Sequence, residues 1–559
     1  MRRTLGTATA VLLIGGALDA CGGDDAAGDA GVDVVDAGGD AAEEAETGPR
    51  PEWFLPDPEG RTTEGNLRDA EPEMVVVTAE DLGAAWQPYA AYRTLGGILT
   101  RVVTTEEVYA AAEGVDDAEA LRNWLRQRWA AGALRFVLLG GDAEKVPYRR
   151  VEAQVTVPLG DTYTSIAPAE IYFGELEADW DGDGDGIWGE RDQDLSLEDL
   201  RGPDVAVGRV PASRPEEVEI YRAKVEDYER DAFARATWPL FLSDVATSLP
   251  VLGDIDGAEA LEITIAAFFP PEFLDHARRL YATDAAASRY GGEVLNSRRV
   301  AAALDEGFPL TFHNGHGSWW NLAAELDGDW VRGLTNAAPT IFASCACLSG
   351  NFADVADEPT FDGWEEQGPD DDSAGELLIV REHGAVGYLG NGAIGLGPVG
   401  GTQFLHEFYD AMFAQGIRRM GEAVDFGRAH MREFNLRIMG VPFNMTDASE
   451  WWTHLIVTLL GDPALEMWSE GPGTLQVTAP PDYGPGYNEV TVRVTGGGGE
   501  PTEGATVVLL KEGDFVLRAT TGADGVATFR FVPFGPAPIA VRATLPQYVA
   551  VEATIEAVE

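Results

Sequence analysis

The chain has 559 residues, 45% of them apolar, with 39 Lys and Arg against 94 Asp and Glu and a formal net charge of −55. That length is enough for three or four domains with sizeable cores. The charge excludes nucleic acid phosphates and anionic lipid surfaces as electrostatic partners, and it suits solubility, basic substrates or Ca2+.

The N-terminus reads as a targeting segment. Arg2 and Arg3 precede an apolar run over 8–18 that is too short to span a bilayer. It leads into Leu18-Asp19-Ala20-Cys21. This resembles a bacterial lipoprotein signal over 1–21, which implies lipidation of Cys21; the alternative is an ordinary secretory signal cut near Ala20. Either way the protein is exported. By the same resemblance, Gly22 in place of aspartate points to an outer-membrane lipoprotein or the cell surface. Residues 22–73 form an acidic tether and lead-in. As far as about Pro51 the tether carries almost no large apolar side chains and cannot offset its ordering entropy, so disorder is expected.

Strands are expected at 74–78, 98–103, 135–139 and 205–209, with helices over 84–95 and 116–129. Ser213-Arg214-Pro215-Glu216 is a capping box with Pro in the first turn, opening a helix to about Tyr228. A second series follows. Strands are expected at 240–243, 309–313, 340–343 and 386–389, and helices at 297–304, 404–413 and 421–434. The apolar run 451–460 reads as a further helix, stopped by Gly461-Asp462-Pro463. Strands alternating with helices predict a parallel α/β sheet, divided into 74–238 and 239–470. Beyond Gly473, short alternating runs punctuated by Gly and Pro predict a β-sandwich over 473–559.

Two motifs carry chemistry. His313-x-x-His316 and Cys345-x-Cys347 each begin where a predicted strand ends, at the carboxyl edge where open parallel sheets place their sites. A thiol reacts as thiolate and needs a base to take its proton, and acyl transfer also needs N–H donors for the oxyanion. Gly317 leaves room for close approach. The same four side chains offer a Zn2+ set, although Cys-x-Cys is tighter than the usual ligand spacing. A Cys345–Cys347 redox pair would depart from the expected Cys-x-x-Cys.

The ordered set Val137-Leu138-Leu139-Gly140-Gly141-Asp142, Val207-Gly208-Arg209, Asn314-Gly315-His316-Gly317-Ser318, Ala346-Cys347-Leu348-Ser349-Gly350-Asn351-Phe352 and Leu460-Gly461-Asp462-Pro463 resembles the gingipain family of caspase-like cysteine peptidases. The resemblance implies a caspase-like catalytic domain in two subdomains, followed by an immunoglobulin-like sandwich, and cysteine endopeptidase activity on protein or peptide substrates. It implies Cys347 as nucleophile, His316 as general base and acid, and the amides of Gly317 and Cys347 as oxyanion hole. It also implies Asp204 as the acid that orients His316. Cys345 and His313 are left as a small buried side chain and a strand-end histidine. The chain lacks the long prodomain of that family and shows no match for its specificity pocket. The rival readings are a non-catalytic surface or secretion protein on a degenerate peptidase fold, and a zinc protein using the His and Cys pairs.

Finally, Asp179-x-Asp181-x-Asp183-Gly184-x5-Glu190 matches the calcium-loop pattern without a mismatch. Asp185 allows a shifted register. The expected ligands of a structural Ca2+ are Asp179, Asp181, Asp183, Asp185 and Glu190, on an insertion within 74–238. No organic cofactor is expected.

Overall fold

The computed structural model describes residues 63–558, apart from 64, 157–161, 232–237, 250–252, 324, 354–371, 433–435 and 439–440. Cys21, the signal segment and the tether as far as residue 62 lie outside the described residues. Eleven strands form one sheet: β1 (Met74–Thr78), β2 (Thr100–Thr104), β3 (Phe136–Leu139), β4 (Ala206–Arg209), β5 (Pro239–Ser243), β6 (Arg278–Tyr281), β7 (Glu293–Val294), β8 (Leu310–Asn314), β9 (Thr340–Ser344), β10 (Ala385–Asn391) and β11 (Val457–Gly461). Their spatial order is β7-β6-β5-β8-β9-β10-β11-β4-β3-β1-β2.

Every neighbouring pair is parallel except β10 and β11, which are antiparallel. The sheet is therefore two parallel halves running in opposite directions, joined at that seam. The amino half contains β1 to β4; the carboxyl half contains β5 to β10. This is the two-part α/β architecture expected from the alternating pattern.

The apolar runs are continuous because both faces of the sheet are covered. Val76 and Leu138 enter one core, while Val75, Val77, Val137 and Leu139 enter another on the opposite face. Most predicted strands and helices appear within a few residues of their expected ends. The exception is the 451–460 run, expected as one helix. It is a helix only over Asp447–Ile456 and then becomes β11. A fully buried strand and a buried helix segment look alike in hydrophobicity; here β-branched Val457 and Thr458 mark the change. The sheet also includes β6 and β7, whose short mixed sequences gave no period.

Residues beyond Gly473 form a sandwich of a four-stranded and a five-stranded sheet. Alternation along Val526–Phe531 sends Ala527, Phe529 and Phe531 into its core beside Val490, Val492, Leu509 and Val541. The lead-in is part of this packing. The Leu67 amide donates to the Val516 carbonyl at 2.8 Å, and Asn66 accepts from the Val516 amide at 3.1 Å. Among the described residues, no helix is long and apolar enough to cross a membrane.

Candidate active site

Strands β8 and β9 are neighbours in parallel register, with Leu310 opposite Ile341 and His313 opposite Ser344. His316 and Cys347 each stand three residues beyond that last pair, so both leave the sheet at the same level of its carboxyl edge. The turn after β8 then lies on the turn after β9. A Cβ added to Gly317 would fall 2.6 Å from the Ala346 Cβ and 3.5 Å from the Cys347 carbonyl oxygen. Only glycine permits that approach. Gly315 is constrained in the same way, since a Cβ there would meet the Asp244 Cβ at 2.6 Å and His313 Nε2 at 2.8 Å.

The two thiols have different surroundings. Cys345 is buried and donates to Asn314 Oδ1 at 2.9 Å. Burial pushes its thiol up to about 11, which keeps it protonated. Cys347 is partly exposed and packs against the apolar pair Trp319 and Leu348. Its Sγ is 3.6 Å from the Gly395 carbonyl. Burial raises this thiol also, so nucleophilic use requires a base. Among the described residues, neither the Cys347 nor the Gly317 amide donates to another residue. Leu348, directly after Cys347, has φ +57°, a left-handed conformation that costs a non-glycine residue about 1–3 kcal/mol. It is held by its amide on the Ala393 carbonyl at 2.9 Å and by burial of its side chain.

A hydrogen-bond frame supports the turn. Asn391, at the end of β10, donates to the carbonyls of Cys345 at 2.9 Å and Ala346 at 3.3 Å. Ser349 bonds the Ala346 carbonyl and the Tyr388 hydroxyl. Asn314 Oδ1 accepts from Thr402 as well as from Cys345, and its amide donates to the Gly257 carbonyl. Asn314 and Ser349 are members of the sequence motifs without an assigned role, and Asn391, Tyr388 and Thr402 lie outside those motifs: a lone Asn or Thr carries no local signal, and their roles arise from strands distant in the chain.

His313 is fully buried, with Nδ1 2.8 Å from Ser344 Oγ. Burial, and then the neighbouring His316, lower it to about 3, so it is neutral, and its Nε2 has no partner among the described residues. The His and Cys pairs do not converge as a four-ligand zinc set. His313 Nδ1 is taken by Ser344 and the Cys345 thiol by Asn314, and the converging groups of ligating side chains among the described residues lie elsewhere.

The family model described as Peptidase family C25 matches residues 68–468. The chain belongs to peptidase family C25. Among solved structures, this C25 member is similar to the Arg-specific cysteine proteinase gingipain R, at a TM-score of 0.62 and 16% identity, covering 87% of this chain and 98% of that one. It is likewise similar to the complex of Porphyromonas gingivalis RgpB pro- and mature domains, at a TM-score of 0.60 and 16% identity, covering 87% and 100%. No curated protein matches the sequence. The caspase-like α/β region followed by a β-sandwich is thus the gingipain fold.

Asp204 is not where the resemblance led us to expect an orienting acid. Strands β9, β10 and β11 stand between β8 and β4, which at normal strand spacing is about 19 Å from the His316 strand. Its carboxylate instead accepts from the Leu176 amide at 2.8 Å. An acid immediately before a strand can serve either sheet edge or a local turn, and its sequence position does not distinguish them. Asp244, missed in the sequence, is better placed. It follows β5, the other neighbour of β8; its amide donates to the Asn314 carbonyl at 3.2 Å, and its side chain rises against Gly315.

The acidic loop brings Asp181, Asp183 and Asp185 together, with ligand oxygens within 4.8 Å of one another. Asp183 and Asp185, with Asp194, also raise the pKa of Glu190, after desolvation. Glu190 Oε2 has no hydrogen-bond partner among the described residues. Asp194 closes the loop by accepting from the amides of Gly182 and Glu190. The converging group is thus Asp181, Asp183 and Asp185, with Glu190 close enough to feel their charge; Asp179, expected as a fifth ligand, is outside that group.

Proposed function

We propose that this protein is an exported cysteine endopeptidase. The observation that carries the reading is the packing of Gly317 on Ala346 and Cys347 in a member of family C25. The Cys347 thiol passes its proton to His316 as sulfur attacks the scissile carbonyl. The amides of Gly317 and Cys347 stabilise the oxyanion. Collapse breaks the C–N bond, with His316 returning the proton to the leaving amine, and leaves a thioester on Cys347. Water, deprotonated by His316, then attacks the thioester; the acid product leaves and the thiol is restored. Asp244, in place of Asp204, is the positioning residue for His316. Arg specificity is stated of gingipain R and is not carried over.

Two further parts of the reading rest on sequence motifs. Cys21 is the lipidated residue of a mature lipoprotein held at the outer membrane or cell surface. Asp179, Asp181, Asp183, Asp185 and Glu190 would hold one Ca2+, whose charge would offset part of the loop's repulsion; it takes no part in the reaction.

A labelled peptidyl acyloxymethyl ketone tests the central claim. Covalent capture by the parent, retained in Cys345→Ala and lost in Cys347→Ala, is the expected result. Absence of capture from the folded parent would support the degenerate, non-catalytic reading instead.

A further inference from the structure

A cavity of about 50 Å³ lies in the seam between the catalytic region and the sandwich, with Tyr92, Arg93, Glu229, Arg419, Glu466 and Arg542 in its walls. Arg93 comes from the helix Glu80–Leu95 and Arg542 from the sandwich strand Ile539–Thr544. They are 4% and 5% exposed.

Both guanidinium groups are incompletely satisfied. Arg93 Nε reaches Asp462 and its Nη1 reaches Glu229, both at 2.5 Å, but Nη2 has no acceptor among the described residues. Arg542 Nη2 donates to the Tyr92 hydroxyl at 2.9 Å, whereas its Nε and Nη1 have none. The nearest carboxylate oxygens to Arg542, on Glu229 and Glu552, are 3.7 Å away, beyond hydrogen-bond range.

Arginine cannot escape this by losing a proton. The carboxylates in the walls are already engaged: Glu229 by Arg93 and Tyr92, and Glu466 by the amide and side chain of Gln547. The orphan donors therefore need an acceptor that the described chain does not supply. They come from both sides of the seam as single N–H donors, each needing its own acceptor, which suits an ion with several oxygens. At roughly 10–15 Å³ for each water-sized occupant, the cavity has room for about the four oxygens of one such ion.

We propose that this pocket binds one inorganic oxyanion of the phosphate or sulfate class, which fastens the sandwich to the catalytic region. Arg93 and Arg542 grip it from opposite sides, and Glu466 limits its affinity by its charge. The site stands apart from Cys347, so its failure would leave the peptidase reading intact.

The test is thermal melting of the full chain in calcium-free buffer. Sodium phosphate is titrated to about 20 mM against sodium chloride of equal ionic strength, so that screening alone is cancelled. A saturable rise of several degrees is expected in the parent, absent in Arg542→Gln and reached at lower phosphate in Glu466→Gln. If Arg542→Gln does not fold, Arg542→Lys is used, with phosphorus NMR line broadening as readout; the parent broadens the signal and the variant does not. A flat titration in the parent, or the same response after either Arg542 change, overturns the site and leaves a pocket filled by water.

Discussion

The carboxyl edges of the two half-sheets are built from the same kind of strand and finished in opposite ways. In the amino half, Arg209 at the end of β4 is fully buried. Its five N–H donors reach the carbonyls of Gly141, Val146 and Pro147 and both oxygens of Glu170. Its guanidinium also lies 4.4 Å over the Phe352 ring. In the carboxyl half, polar groups at the equivalent edge are left without a partner in another described residue: His313 Nε2 and the amides of Gly317 and Cys347. The strained Leu348 sits beside them. Complete satisfaction makes an edge rigid and inert, because an unmet buried polar group is costly. Groups left unmet are those available to a reacting molecule. In sequence, the motif at 137–142 and the His and Cys motifs all follow or end buried strands, and the bookkeeping of donors shows how differently the two edges are finished.

That contrast can be broken from either side. Arg209→Met should have the largest effect, a loss of about 3–5 kcal/mol in denaturant unfolding, because Glu170 is left buried and unpaired. An unchanged midpoint would mean the amino edge is not held this way. Asp244→Asn should lower kcat/KM by about 100-fold, about 2.7 kcal/mol, with melting nearly unchanged. Asp204→Asn should do the reverse, weakening the fold by about 1 kcal/mol through its bond to Leu176 while sparing the rate. Equal rate losses in the two would refute the assignment of Asp244. Calcium at about 100 times its Kd should stabilise the parent by about 2.7 kcal/mol, observed as a rise in melting temperature. Asp181→Ala should abolish that rise, and a parent indifferent to calcium would remove the ion from the amino half.

The parallel architecture was legible because each buried strand of the two series is a run such as Met74–Thr78 or Leu310–Asn314, bounded by helix caps. The turn bearing Cys347 and the turn bearing His316 were legible for the same reason: both lie just past such runs. Strand β11 was hidden, since burial on both faces erases period two. Asp204 adjoins a strand in sequence as Asp244 does, and sheet order, which sets their distances from the His316 strand, is a long-range property. The roles of Asn391 and Asn314 are not legible in the sequence because their partners come from elsewhere in the chain.

The antiparallel seam has a consequence for how the protein is made. β11, the strand that joins the halves, is supplied by residues 457–461, at the far end of the catalytic region. Until that stretch has emerged, β4 and β10 are both unprotected borders in what will become the middle of the sheet. A chain cut short before it would present two adhesive rims, so nearly all of the catalytic region must be available before its central layer can close.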